Sequence, residues 1–365
     1  MKPFNDKLKS VALVRMDRIG DFLLWLSAAK FYRQYFSSSK IVFFANEVFA
    51  SLARKFPYWD QVITVSVPDS TSAVCSLSKF EEFDLAINLH FSRTFTQDSF
   101  LGAIPAKRRI AVRIQGPNMN CEQYRLGNSI YSDLIDLDLE PKHELQRNFD
   151  IMNLITGLGQ SAQLEDLRGR FSSSALSLPK KYAAVFPSAS WKERAYPWPR
   201  LLGILKSLWE EHGILSVILG GKEDKVLGAN IHRNAMEFTL DLCGKQSLEE
   251  SLFLIQGSQL VIANDSMAAH AANFLSKPSV CIVGGGYHVS EKEGRFFPYP
   301  KKLISEDLQI SLRYPIACEG CNNLCRYADT IGDCLPCIDY ISAELVSASV
   351  KKVVKSSKSG QGMHQ

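Results

Sequence analysis

Along this chain, short apolar runs alternate with longer stretches in which apolar residues recur every three to four positions, the pattern of a parallel sheet with helices on its faces. The first run, Val11-Ala12-Leu13-Val14, is followed by the polar turn Arg15 to Gly20 and a helix predicted over 21–36. Further strands are predicted over 41–44, 62–65, 85–88 and 110–112, then a looser stretch over 115–141 and a helix over 143–158. A Ser-rich connector over 171–179 has the composition of a domain boundary. The alternation then restarts with strands over 182–186, 215–219, 239–242, 260–263 and 279–283, and helices over 199–212, from about 224, and over 248–255. An amphipathic helix over 338–354 is expected to pack back on the first half, and 355–365 reads as a frayed polar tail.

The chain has 365 residues, which suits two domains, expected over 1–175 and 176–337. Apolar content of 46% and charged content of 22% are ordinary for a globular protein. No apolar window approaches a bilayer span and the N-terminal residues lack a signal-peptide apolar region, so a cytoplasmic protein is expected. A net charge of only +4 argues against a nucleic-acid partner, while leaving room for a local basic face on an anionic lipid surface.

Candidate chemistry gathers at the turns after predicted strands. Asn264-Asp265-Ser266-Met267-Ala268-Ala269-His270 joins an apolar strand to a helix, and puts an Asp, a hydroxyl and free backbone N–H groups at one spot. Such a spot suits a phosphorylated ligand; a plain N-cap is the simpler alternative. The turn Pro187 to Pro197 carries Ser188, Ser190, Lys192 and Arg194, hydroxyls and cations of the kind a diphosphate requires. In Gly220-Gly221-Lys222-Glu223-Asp224, Glu223 is placed to accept hydrogen bonds from a ribose, or simply to cap the next helix. In the first half, Arg15, Arg18 and Gly20 flank Asp21 as a helix begins, a turn that lacks two glycines of a dinucleotide fingerprint.

Of nine cysteines, five crowd into Cys318-x2-Cys321-x3-Cys325-x8-Cys334-x2-Cys337. The two Cys-x2-Cys pairs, Cys318 with Cys321 and Cys334 with Cys337, have the spacing of a structural zinc site; reduced thiols in a compact loop are the other reading.

Taken together, these segments resemble glycosyltransferase family 9, the heptosyltransferase-like enzymes. Arg15-x-Asp17-Arg18-Ile19-Gly20-Asp21 is similar to the family's opening Gly-Asp segment, Lys192 to Leu208 to its basic stretch before a helix, and Gly220 to Asp224 to its Gly-Gly-x-x-Asp turn. Gly244-Lys245-Gln246-Ser247-Leu248 is similar to its Gly-Lys-x-Ser-Leu segment, and Asp265-Ser266 with His270 to its Asp-Thr-Gly-x-x-His signature. The Cys-rich segment too is similar to one many members share. Met267 stands where the family usually has Gly, Arg194 where it usually has Lys, and Tyr196-Pro197 where it has Trp-Pro.

The resemblance implies a GT-B fold, two Rossmann-like doubly wound parallel-sheet α/β domains facing a central cleft. It implies a metal-independent, inverting transferase with no required cofactor, using an ADP-heptose-like nucleotide-sugar donor. The implied acceptor is a lipopolysaccharide core or related lipid-linked glycan, met at the inner-membrane surface by a cytoplasmic, peripheral enzyme. Asp21 would be the general base and Arg15, Arg18 and Gly20 would meet the acceptor. Ser188, Ser190, Lys192, Arg194, Glu223, Asp265, Ser266 and His270 would hold the donor. The alternatives are a silent nucleotide- or glycan-binding module of the same fold, a nucleotide-sugar epimerase or phosphorylase-like enzyme, and a zinc-dependent interaction protein.

Overall fold

Five of the six residues of the first strand, β1 (Ser10–Arg15), are buried, because a central strand of a parallel sheet is covered on both faces. The computed structural model describes residues 8–66, 77, 80–114, 118–138, 140, 142–172, 179–285, 296–297, 299–304, 308–318, 320–321, 325, 327 and 334–360. Its chain divides into two compact units, Met1–Glu140 with Glu144–Gln163, and Pro141–His143 with Leu164–Gln365. The division at 163/164 thus precedes the Ser-rich connector, whose residues 173–178 lie outside the described ones.

In the first unit, β1 is flanked on one side by β2 (Lys40–Asn46) and β3 (Gln61–Val65). On the other side stand β4 (Phe83–Asn88), β5 (Ala106–Val112) and β6 (Asp133–Ile135). The sheet order is β3-β2-β1-β4-β5-β6, all parallel. The helices are α1 (Ile19–Tyr35), α2 (Glu47–Ala53), α3 (Phe95–Ala103), α4 (Cys121–Asn128) and α5 (Glu144–Thr156). Aromatic rings weld α1 to the sheet: Phe22 and Trp25 pack on Phe43 of β2 with ring centres 6.2 and 5.3 Å apart, and Phe22 also stacks on Phe49 of α2 at 4.4 Å.

The second unit repeats this order. Its strands are β7 (Tyr182–Phe186), β8 (Leu215–Ile218), β9 (Thr239–Asp241), β10 (Leu260–Asn264), β11 (Ser279–Ile282) and β12 (Gln309–Leu312). They lie β12-β11-β10-β7-β8-β9 in the sheet. The helices are α6 (Trp198–His212), α7 (Lys225–Arg233), α8 (Leu248–Gly257), α9 (Met267–Phe274), α10 (Pro336–Asp339) and α11 (Ala343–Gly360). Gly213 ends α6 at φ +62°, a left-handed cap that costs glycine nothing.

The final helix departs from expectation. Val346, Val350, Val353 and Val354 of α11 are buried in one core with Leu205 and Leu208 of α6 and Ile282 of β11, so this helix belongs to the second unit. It also continues to Gly360, well into the tail expected to fray from 355.

In each sheet the chain starts at a middle strand, builds outward on one side, then returns to build on the other. The first and fourth strands of each unit, β1 with β4 and β7 with β10, are therefore hydrogen-bonded neighbours whose connections depart in opposite directions. Outside the carboxyl ends of such a pair is where doubly wound sheets bind ligands.

Candidate functional site

In the second unit, β7 and β10 run in parallel register, with Phe186 opposite Ala263, so the turn after one strand adjoins the turn after the other. The first of these turns, from Pro187 to Pro197, holds one 3-10 turn at Lys192–Arg194 before Trp198 and Pro199 open α6. The second is short: Asn264 ends β10, Asp265 follows, and Ser266 is the N-cap of α9, its hydroxyl making no cap bond.

Four of the predicted donor residues meet here. Arg194 Nη2 donates to Asp265 Oδ2, an ion pair whose side chains are only 12% and 15% exposed. Beside them the Ser266 Oγ is buried with no hydrogen-bond partner among the described residues, at the end of α9 where backbone N–H groups carry partial positive charge. Ser188 is half-buried at the start of the same basic turn. Ser190 and Lys192 are exposed, Lys192 lying 3.7 Å from Glu193.

His270 is placed differently from expectation. One turn into α9, it is 4% exposed; its Nδ1 shares a 2.8 Å hydrogen bond with the Tyr299 hydroxyl and its ring stacks on Phe297. Burial, helped by neighbouring His143, lowers its pKa to about 3, so the ring is neutral and supports the helix rather than offering charge to an anion. Glu223 is exposed on the turn after β8, where Gly221 donates its N–H to Asp224 Oδ2 at 2.7 Å. A side chain at Gly221 would collide with the Glu223 carboxylate.

The zinc expectation is not met. Among the described residues no three His, Cys, Asp or Glu side chains are grouped to hold a metal ion. Cys334 is drawn into the apolar core, with Sγ 3.8 Å from Asp339 Oδ1, whereas Cys318, Cys321, Cys325 and Cys337 face one cavity that Arg194 also lines.

In the first unit the turn from β1 to α1 is held from several directions. Asn46 Nδ2 donates to the Met16 and Asp17 carbonyls at 3.0 Å each. The Met16 N–H donates to His90 Nε2 at 2.7 Å, and Asn88 Oδ1 accepts from the other ring nitrogen at 2.6 Å, which fixes the tautomer. Burial beside Arg15 and Arg93 holds the His90 pKa well below its ordinary value, keeping Nε2 an acceptor. Arg15, expected to reach the acceptor, is 1% exposed: it donates to Asp17 and to Leu89 O and Asn148 Oδ1 at 3.3 and 3.1 Å. Arg18 is exposed as the N-cap residue of α1, Gly20 lies within the helix, and Asp21 is half-buried in the first helical turn. The residues that sequence reasoning missed are these turn-holders, His90, Asn88 and Asn148, and Asn264 in the second unit. An amide ending a fully buried apolar strand was the one available signal.

No helix among the described residues is long and apolar enough to cross a membrane. The chain is similar to lipopolysaccharide heptosyltransferase 1 of Campylobacter coli, 21% identical over 294 residues, covering 75% of this chain and 83% of that protein. Among solved structures, it resembles the ADP-heptose lipopolysaccharide heptosyltransferase II of E. coli, with a TM-score of 0.69 at 17% identity over 96% of this chain and 99% of that one. The E. coli heptosyltransferase WaaC, solved with ADP, gives 0.68 at 15% identity over 94% and 99%. These likenesses give the GT-B fold. The sequence profile of glycosyltransferase family 9 (heptosyltransferase) matches residues 122–304, half of the chain, and the chain belongs to that family.

Proposed function

We propose that the protein transfers a heptose-like sugar from an ADP-linked donor to a lipopolysaccharide core or related surface glycan, with inversion at the anomeric carbon. The observation that carries the donor assignment is the meeting at the start of α9 of Arg194, Asp265 and the Ser266 hydroxyl, which has no hydrogen-bond partner among the described residues. The relatives support ADP as the nucleotide, since the WaaC structure was solved with ADP and heptosyltransferase II is named for ADP-heptose.

In this reading the donor's diphosphate takes Arg194 from Asp265, and Ser266, Ser188 and the N–H groups of α9 complete its oxygens' hydrogen bonds. Lys192 and Ser190 close over it from the exposed side, and Glu223 accepts from the ribose. His270 keeps α9 in place from beneath. The acceptor hydroxyl loses its proton to Asp21 as its oxygen attacks the anomeric carbon, and the bond to the diphosphate breaks on the opposite face. Arg194 and the helix start offset the charge that grows on the departing ADP, so the reaction has no need of a metal ion. Arg18 and Gly20 border the acceptor, while Arg15 acts through Asp17. A lipid-linked acceptor would bring the enzyme to the cytoplasmic face of the inner membrane.

The test is transfer from ADP-heptose to a heptose-deficient lipopolysaccharide, read as ADP release with EDTA present. Asp21→Asn should lower kcat by about 10²- to 10⁴-fold with ADP affinity retained. Unchanged turnover in Asp21→Asn would remove Asp21 as the base, and ADP binding without any transfer by the wild type would make the chain a silent binding module.

A further inference from the structure

We propose that Asn264 is a positioning residue of the nucleotide-sugar site, clamping both ends of the basic turn 187–196 to the end of β10. The inference rests on the donor reading above and adds what sets that site's geometry. Asn264 is 2% exposed, and its carboxamide spans the switch between β10 and β7. Its Nδ2 donates to Pro187 O at 2.9 Å and Ser188 O at 3.1 Å, at the start of the turn. Its Oδ1 accepts from the Tyr196 N–H at 2.9 Å, at the end. Only an amide of this length offers two donors and an acceptor to these three backbone groups. The next residue, Asp265, takes Arg194 two residues before Tyr196, so two consecutive side chains hold the turn at its start and over its last three residues.

The first unit carries the same device. Asn88 ends the fourth strand there, as Asn264 does in the second unit, and through His90 it holds the Met16 N–H on the turn after the first strand. In both units a side chain from the fourth strand's end holds the turn after the first strand, directly in the second unit and through His90 in the first; that turn leads into the helix start bearing Asp21 in one case and carries Ser188 to Arg194 in the other. That recurrence is hard to account for by packing alone, since a buried strand end needs no polar side chain.

The full-length protein carries the test, with Asn264→Ala and Asn264→Ser compared with Val350→Ala, which thins the core under α11 without touching the turn. Hydrogen exchange of the 187–197 peptide is measured without ligand, and ADP affinity by calorimetry. Faster exchange at 187–197 together with a 10- to 100-fold weaker ADP affinity in the Asn264 variants, and neither change in Val350→Ala, is the expected result. In turnover the same variants should show a raised donor KM with kcat less affected. Unchanged exchange overturns the clamp. Faster exchange with wild-type ADP affinity overturns its role in the donor site. A wild type that binds none of ADP, UDP, GDP or CMP overturns the donor reading itself and is recognised from its own titration. Asn264→Ser keeps a short polar side chain and decides the matter where Asn264→Ala does not fold.

Discussion

At the scale of single residues, charged and polar side chains divide into those that face a ligand and those that hold the ones that do, and sequence position does not tell them apart. Arg15 follows an apolar strand and reads as ligand-facing, yet Asn148, 133 positions away, and Leu89 absorb its guanidinium. His270 likewise has the position of a ligand contact and the surroundings of a core residue. Its burial has a consequence for stability. The folded state keeps the ring neutral down to about pH 3, whereas the unfolded chain takes up a proton near the ordinary histidine value. The stability this allows is present above about pH 6.5 and is lost as pH falls toward the folded value. Between pH 7 and pH 5 the wild type should lose about 2 kcal/mol more than His270→Gln in urea unfolding. Parallel losses in the two proteins would show that the ring is protonated in the folded state.

At the scale of elements, the buried strands were readable because central parallel strands are apolar along most of their length; β7 and β10 begin where their apolar runs do, and β1 one residue before its own. The elements that sequence reasoning passed over lack that signal. Helix α4 buries only Gly127 of its eight residues, and so shows no apolar stripe within the stretch read as loose. Strand β12 alternates Gln, Ile, Ser and Leu at the sheet edge and is four residues long. For α11 the helix was readable and its neighbour was not, since an apolar face says only that something covers it. The covering core here is that of the second unit, so Val353→Asp should destabilise that unit by about 3 kcal/mol or more through an unpaired buried charge. Urea unfolding followed by the tryptophans of α6, Trp198 and Trp209, reports it; a shift confined to the first unit's tryptophans would contradict the placement of the helix.

At the scale of the molecule, two sheets of the same strand order divide the labour, with the proposed base on the first and the proposed donor contacts on the second. ADP should therefore act on one of them. At 100 times its Kd it should add about 2.7 kcal/mol to the second unit and raise that calorimetric transition alone. Movement of the first unit's transition instead would place the nucleotide there. The repeat of one topology was legible in the alternation of the sequence; the place where the chain passes from one unit to the other was not, because Pro141–His143 count with the second unit while α5 returns to the first. His143 bonds the Phe296 carbonyl at 2.9 Å and packs on Tyr299, the partner of His270. A chimera that exchanges the second unit between relatives at a single junction near 163 would thus leave behind the ring beneath its own α9, and a working exchange must graft the three residues 141–143 as well.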